Sequence, residues 1–464
     1  MSAPGLEADH TAASAWTGWR VPLALFVVLV AVFGFTARHS GGSWDYYTAN
    51  YASWHLVHTG SPVLGEESIP DLEDDPEEGT WIKQTDDGNV ISRFPGVIAI
   101  GLPAYWIAQA DHMTVVPGAW TAATAAAIGL LLMLLALRTR LSRTHAVVSV
   151  LVLGLGTPVW SVSADAVWPH TVTLLGIGGM AWAAATRRWW ALGLFGGIAL
   201  WGRLHAAVIV ALMGVVLGWR RRQPRVTLVV AAVSATFLVL LCVWTRWMYD
   251  TFDPTGSYGG GEFTVAPHGW DALTNQLGMW VAPDRGILVF TPLLLLLAPA
   301  VRREWRDLPD WPRTLLVGGL VYTVVQTFLI TFTGGDNFFG YRLGLEFVAC
   351  ATPVYAFSAH RAGPLARRLL PVVIALQVAA FSIGAVFDSA FLPQEDVWHG
   401  NAFWFSLKEI APVGPLWTVA LLCAGLLVSE RLRAREQAAT TPMNEVESGE
   451  SQPARGIDSS HSVP

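Results

Sequence analysis

Residues Val226–Thr245 read VTLVVAAVSATFLVLLCVWT, an uncharged run bounded by Arg225 and Arg246. A helix of that length rises about 30 Å, the thickness of a bilayer's hydrocarbon core. Backbone polar groups survive there only when they bond within their own helix or barrel, so the run predicts a transmembrane α-helix. Comparable blocks lie at Val21–Thr36, Trp120–Ala136, His145–Val162, Thr171–Ala185, Gly286–Ala300, Leu315–Thr333, Leu345–Phe357, Leu369–Val386 and Val413–Ser429. Trp189–Trp219 is too long for one span and is interrupted by Gly202 and Arg203, so it reads as two short helices meeting outside. Composition agrees, with 53% apolar and 14% charged residues. A soluble domain carries about a quarter charged residues. The fold class expected is an all-α polytopic membrane protein of about 12 transmembrane helices.

The net charge of −6 says less than its distribution. Lys83 and Lys408 are the only lysines. With the N-terminus inside, twenty basic residues fall in inside segments: Arg20, Arg138, Arg140, Arg143, Arg187, Arg188, Arg220, Arg221, Arg222, Arg225, Arg302, Arg303, Arg306, Arg313, Arg361, Arg367, Arg368, Arg431, Arg433 and Arg435. Eight fall outside: Arg38, Lys83, Arg93, Arg203, Arg246, Arg285, Arg342 and Lys408. Positive residues stay on the cytoplasmic side, so both termini are expected in the cytoplasm, and the first block is expected as a retained anchor rather than a cleaved leader. Cys242, Cys350 and Cys423 lie within proposed spans and read as small buried residues, with no disulfide or metal framework.

Along the chain, residues 1–20 form a short cytoplasmic lead, 21–430 the transmembrane domain, and 431–464 a tail whose composition cannot build a core. The large outside loop, 38–118, begins with WDYYTANYASWHLVHTG (Trp44–Gly60), read as an interfacial helix. An acidic stretch, Glu66–Asp87, follows, then RFPGVIAIGLPAYWIAQ (Arg93–Gln109), a helix on or dipping into the outer interface. Further outside loops are 247–285, 333–343 and 387–411.

Ionisable residues avoid the span interiors and gather at their outer ends: Asp45, Arg93, Asp165, His170, Arg203, His205, Asp284, Arg285, Asp336, Arg342 and Glu346. That placement suits a site at the outer mouth that meets a lipid-borne substrate from the side. It does not suit an ion path through the bilayer, which would need such groups at depth.

Five motifs, in this order, resemble the GT-C class of membrane glycosyltransferases across most of residues 20–430. Asp45-Tyr-Tyr-Thr-Ala-Asn-Tyr-Ala-Ser-Trp-His-Leu-Val-His-Thr-Gly60 is similar to that class's early acidic residue, helix and closing glycine. Arg93-Phe-Pro-Gly96 resembles the basic-then-proline segment of the aminoarabinose and protein mannosyl transferases. Gly156-Thr-Pro158 with Trp168-Pro-His170 resembles their short outside turn. Ala282-Pro-Asp-Arg-Gly286 with Thr291-Pro292, and Gly340-Tyr-Arg342, resemble two later loop elements of bacterial subgroups. The resemblance implies a GT-C-like bundle with interfacial helices in its first outside loop. It also implies a sugar donor carried on polyprenyl phosphate, with Asp45 as catalytic base. Tyr46 and Tyr47 stand where many relatives have a second acid, so no metal and no cofactor is expected.

The residue chemistry runs alongside. An attacking hydroxyl must lose a proton, which a carboxylate within hydrogen-bond reach can accept, and Asp45 is the nominee. The leaving group would be a lipid phosphate, and arginine forks match phosphate oxygens. Arg285 and Arg342, then Arg203 and Arg93, are the donor-phosphate candidates. His170, Asp165, His205, Asp284, Asp336 and Tyr341 are candidates for other substrate contacts. No Walker loop, dinucleotide fingerprint or zinc spacing occurs, and the short inside loops leave no place for a nucleotide sugar. The partners expected are a polyprenyl-phosphate-linked sugar, a lipid, glycan or protein acceptor, and membrane lipids, with no nucleic acid. A multi-pass transporter or lipid flippase is the alternative class, and a non-catalytic scaffold a third.

Overall fold

The computed structural model describes residues 20–39, 42–65, 81–258, 269–387 and 392–440, with side chains to residue 431. The chain begins in α1 (Arg20–Thr36), turns, and enters α2 (Trp44–Thr59). A β-hairpin follows, β1 (Ile82–Thr85) against β2 (Gly88–Ile91), then α3 (Pro95–Ala108), α4 (Val116–Leu137) and α5 (Arg143–Leu155). After a π turn at Val159–Ser163 come α6 (Pro169–Ala185), α7 (Trp189–Gly202), α8 (Ala207–Arg220) and α9 (Pro224–Tyr249). The later half holds α10 (Trp270–Val281), α11 (Ile287–Phe290), α12 (Leu293–Glu304), α13 (Asp310–Leu329), α14 (Leu345–Ser358), α15 (Pro364–Val386), α16 (Ala402–Glu409) and α17 (Val413–Thr440).

Each apolar block read from the sequence overlaps a helix, although His145–Val162 crosses the break after α5 and Leu315–Thr333 runs past the end of α13. Among the described residues, four helical stretches are both long and apolar enough to cross a membrane: Val116–Leu137, Pro224–Tyr249, Pro364–Val386 and Val413–Arg431. α9 and α17 leave most of their apolar surface uncovered, with Leu228, Val239, Val243, Val419 and Leu427 all exposed. That is the pattern of a lipid-facing helix rather than a soluble one. The helices inside the bundle approach on small residues instead. A Cβ on Gly178 of α6 would lie 2.1 Å from the Gly129 carbonyl oxygen of α4, and one on Gly179 would lie 2.0 Å from the Phe195 ring of α7. Close backbone approach of this kind is how apolar helices associate where water provides no driving force.

α7 and α8 form a hairpin. The Arg221 guanidinium at the end of α8 lies 5.1 Å from the Trp189 ring at the start of α7, so both outer ends share one side. The tip is the extended Arg203 (φ −151°) and a short 3₁₀ turn, Leu204–Ala206. Each arm has 14 residues. That gives each a rise of about 21 Å, well short of a hydrocarbon core.

Several readings change. Trp44–Thr59 is no open amphipathic helix: Tyr46, Thr48, Ala49, Asn50, Tyr51, Ala52 and Ser53 are all buried. It packs against α3, where Ser53 Oγ donates to the Ile98 carbonyl (2.9 Å) and Tyr105 Oη to Asn50 Oδ1 (3.0 Å). The Glu66–Asp87 stretch ends in the β-hairpin, turned by Asp86 and Asp87 with Gly88 at φ 134°; residues 66–80 lie outside the described residues. Gly286–Ala300 is split into α11 and α12 by Thr291-Pro292. The loop at 247–285 contains α10, although 259–268 are not described. α17 continues to Thr440, past the tail boundary at 430, and 441–464 are not described. The three cysteines are free.

Candidate functional site

The loop after α1, the start of α2, the strand β2, the start of α6, the α7–α8 tip and the loop before α14 all bring polar side chains to one end of the bundle. Asp45, in the first turn of α2, is at their centre. Arg342 Nη1 donates to Asp45 Oδ2, and Arg93 Nη2 lies 3.7 Å from Asp45 Oδ1. The carboxylate side chain retains 18% exposure, while Arg342 keeps 11% and Arg93 3%. Burial alone would raise the Asp45 pKa, but Arg342 and then Arg93 outweigh it and hold the group below the ordinary aspartate value. Asp45 is therefore a partly open carboxylate between two guanidinium groups.

Each arginine is held in place from behind. Arg93 leaves β2 with its guanidinium stacked 3.6 Å from the Trp81 ring, and its Nε donates to Thr48 Oγ1 at 2.8 Å. Thr48 lies nearly one turn beyond Asp45 on α2, so one helix supplies both the carboxylate and a bond that aims Arg93 at it. Arg342 lies over two rings, 4.8 Å from Trp168 and 5.3 Å from Phe338. Trp168 in turn packs edge-on against Tyr46 at 5.4 Å.

Beneath this pair runs a second polar layer. Arg203 Nη2 is 3.2 Å from His170 Nε2, and His170 Nδ1 is 2.7 Å from Glu346 Oε1, which also accepts from Thr173 Oγ1 at 2.7 Å. With the Gln326 amide turned to satisfy its neighbours, its oxygen accepts from Arg203 Nη1 at 2.8 Å and its nitrogen donates to Tyr322 Oη at 3.0 Å. His205 stacks on Tyr322 at 4.8 Å. The positive charge of Arg203 also acts on Asp45, tying the two layers together.

Other sequence candidates have different work. Asp165 pairs with Arg38 (2.7 Å), whose Nη1 donates to the Asn337 carbonyl (2.8 Å), fixing the end of α1 to two loops. Arg285 is turned to backbone oxygens: its Nη1 serves the carbonyls of Thr333 and Gly335, its Nη2 that of Leu392 (3.1 Å), and Asp336 lies 3.4 Å away. At 2% exposure it is a loop clip that holds residues 333–336 behind Phe338, not an open fork. Asp284 belongs to the same clip, its Oδ1 accepting from the Ala402 N–H and its Oδ2 lying 3.5 Å from Arg285. Burial raises the Asp284 pKa, with that N–H and Arg285 only partly offsetting it. Tyr341 is buried, sharing a hydrogen bond with Thr291 Oγ1 at 2.6 Å. Asp336 is the most open of the set, at 45% side-chain exposure.

The structure thus gathers Asp45, Arg93, Arg203, Arg342 and His170, and moves Asp165, Asp284, Arg285 and Tyr341 into the supporting framework. Six partners are new: Thr48, Trp81, Thr173, Tyr322, Gln326 and Phe338. Gln326 carries a sequence signal, being one of few polar residues in an apolar run; Thr48 and Trp81 carry none. Among the described residues, no three His, Cys, Asp or Glu side chains gather to hold a metal ion.

No family model and no curated protein matches the chain. Two crystal structures of the Archaeoglobus fulgidus oligosaccharyltransferase are similar to it, one tethered by a disulfide to an acceptor peptide containing the NVT sequon and one in the apo form. Identity is 14% and 13%, TM-score 0.46 for each, and 88% of this chain is covered. The chain spans only 56% of the length of those structures. At so low a likeness, fold and function rest on the chain's own residues.

Proposed function

We propose that this chain is a multi-pass glycosyltransferase that moves a sugar from a polyprenyl-phosphate carrier to an acceptor hydroxyl at the extracytoplasmic face of the cell membrane. The observation that carries the reading is the partly open Asp45 carboxylate set between Arg342 and Arg93, with Arg203 behind. A carboxylate alone is a base, and arginines alone are an anion site. Together, at the apolar rim of a helical bundle, they match a reaction in which a hydroxyl loses a proton while a phosphate leaves.

The acceptor oxygen attacks the anomeric carbon as its proton passes to Asp45. The bond from that carbon to the phosphate oxygen breaks, and its electron pair departs on polyprenyl phosphate. Attack opposite the leaving group inverts the anomeric centre. Arg342, Arg93 and Arg203 take up the charge developing on the phosphate. Arg342 serves Asp45; an incoming phosphate competes for that guanidinium and releases the carboxylate to act as base. The acceptor is a lipid, glycan or protein hydroxyl, and the reaction needs no cofactor.

The topology belongs to the same reading: about twelve crossings, both termini cytoplasmic, and the Asp45 end outside. It is supported by the arginine partition and by the coincidence of apolar blocks with helices. One feature favours a transporter or flippase instead, since short, interrupted helices such as α7 and α8 mark binding sites in transporters. The deciding experiment reconstitutes purified protein with labelled polyprenyl-phosphate sugars and follows release of polyprenyl phosphate. Release supports transfer. Movement of lipid across vesicles with no release for any donor would establish the transporter.

A further inference from the structure

The side chains beneath Asp45 include two full charges, Glu346 and Arg203, joined through a histidine. Glu346 and His170 have no side-chain exposure. Replacing such a buried charge pair with well-packed apolar groups is often neutral or stabilising, so stability alone does not explain it. Its directionality is informative. Arg203 is always protonated and can only donate, so at the 3.2 Å contact His170 Nε2 must accept. The ring proton then sits on Nδ1 and is donated to Glu346 Oε1 at 2.7 Å. Thr173 Oγ1 donates to the same oxygen, which keeps that oxygen an acceptor. Glu346 is in the first turn of α14, where the helix dipole favours its negative charge.

We infer that Glu346 is a positioning residue that acts through the tautomer of His170 to hold the Arg203 guanidinium toward the Asp45 site, ready for the phosphate of a prenyl-phosphate ligand. This rests on the phosphate-site reading given above. The logic parallels carboxylate–histidine pairs behind metal ions, where the outer carboxylate fixes which ring nitrogen faces the cation. Here the cation is a guanidinium on the tip of a helical hairpin, with His170 aligned on one of its terminal nitrogens. Gln326 braces the other terminal nitrogen, and its Oε1 likewise can only accept.

A swap of one atom tests this. In Glu346→Gln the Thr173 hydroxyl turns to its other acceptor, the His170 carbonyl 3.1 Å away, so that the amide nitrogen faces and donates to Nδ1 and the ring proton moves to Nε2. Two donors then face each other across the His170–Arg203 contact, and Arg203 turns away. His170→Gln, by contrast, keeps an oxygen able to accept from Arg203 and has no tautomer to set. The probe is farnesyl phosphate binding to full-length protein in nanodiscs, with thermal unfolding measured alongside. Glu346→Gln should weaken binding roughly tenfold or more, as expected for one charge-assisted hydrogen bond, with its unfolding temperature near that of wild type. The double variant Glu346→Gln, His170→Gln should bind better than Glu346→Gln alone and match His170→Gln. A merely structural pair would give losses that add. Wild-type binding by Glu346→Gln, or a double variant weaker than both singles, overturns the inference. Should Glu346→Gln fail to accumulate, His170→Phe against His170→Gln gives the same answer: only Gln should retain binding, and equal binding by the two overturns it. Wild-type protein that ignores farnesyl phosphate removes the phosphate site itself, and this inference with it.

Discussion

Asp45 and Arg342 are separated by 297 positions in the chain and share one hydrogen bond, so the start of α2 and the loop before α14 are closed onto each other at the site. The same guanidinium is braced by Trp168 and Phe338, which leaves it little freedom except toward Asp45 or toward whatever replaces Asp45. The pair is both a lock on the fold and the centre of the proposed chemistry. Those two roles are separable by substitution.

Asp45→Asn removes the base and frees Arg342 in one step. Turnover, measured as polyprenyl phosphate released from a labelled donor, should fall about 10²–10⁴-fold, the usual contribution of a general base. Affinity for farnesyl phosphate should rise, because the phosphate no longer competes with a carboxylate. Glu395→Gln, at an exposed acid of another outer loop, serves as the control and should stay active. Weaker phosphate binding in Asp45→Asn would mean that Arg342 needs Asp45 for its orientation.

Arg342 and Arg285 should behave in opposite ways. Arg342→Ala should weaken donor use by roughly 1.5–3 kcal/mol, with Lys restoring only part because a point charge cannot replace the fork. Arg285→Ala should chiefly lower the unfolding temperature, since it strands the carbonyls of Thr333, Gly335 and Leu392. Breaking such a buried clip costs about 3–5 kcal/mol. An Arg285→Ala protein of normal stability but no donor binding would return Arg285 to the phosphate site.

Acid should weaken the Asp45 lock in a defined direction. The folded pKa lies below that of an unfolded aspartate, about 3.9. The stability it contributes is therefore complete above that value and is lost as pH falls through the folded pKa. Unfolding curves of wild type and Asp45→Asn in detergent should differ at pH 7 and converge below about pH 4. A gap unchanged down to pH 3 would mean that charge on Asp45 contributes nothing to stability.

Topology is checked with single cysteines on a background lacking Cys242, Cys350 and Cys423. A cysteine at Glu395, exposed in the loop before α16, should react with an impermeant thiol reagent in intact cells. One at Arg140, exposed in the turn after α4, should react only after permeabilisation. The reverse pattern would place Asp45 in the cytoplasm and exclude the proposed carrier orientation.

The helices were readable because each apolar run is long and its period needs no partner. Val226–Thr245 lies wholly within α9, and Leu345–Phe357 within α14. The β-hairpin is masked in the sequence because Asp86-Asp87-Gly88 continues an acidic stretch, although a turn followed by Asn-Val-Ile is a hairpin signal. Asp45, Arg93 and Arg342 could be nominated by residue type and side. Arg285 carried the same signals, Gly-flanked and outside, yet the structure turns it inward to carbonyls 48 and 50 positions away. No local pattern distinguishes an arginine that serves backbone oxygens from one that faces an opening. That difference is set by which loops close over it, and closure is a tertiary property.

The short arms of the α7–α8 hairpin bear on where in the bilayer the chemistry happens. A hydrophobic element about 21 Å long in a film about 30 Å thick creates a mismatch that the lipid relieves by thinning around it. In the proposed topology such thinning dimples the film on the side of Arg203 and brings water and headgroups down toward the arginine. A carrier whose phosphate lies at its usual headgroup depth would then slide into the dimple rather than climb to meet the protein. Acyl-chain length in the surrounding lipid becomes a variable of the site itself: thicker bilayers deepen the dimple at an elastic cost, and thinner ones relieve it.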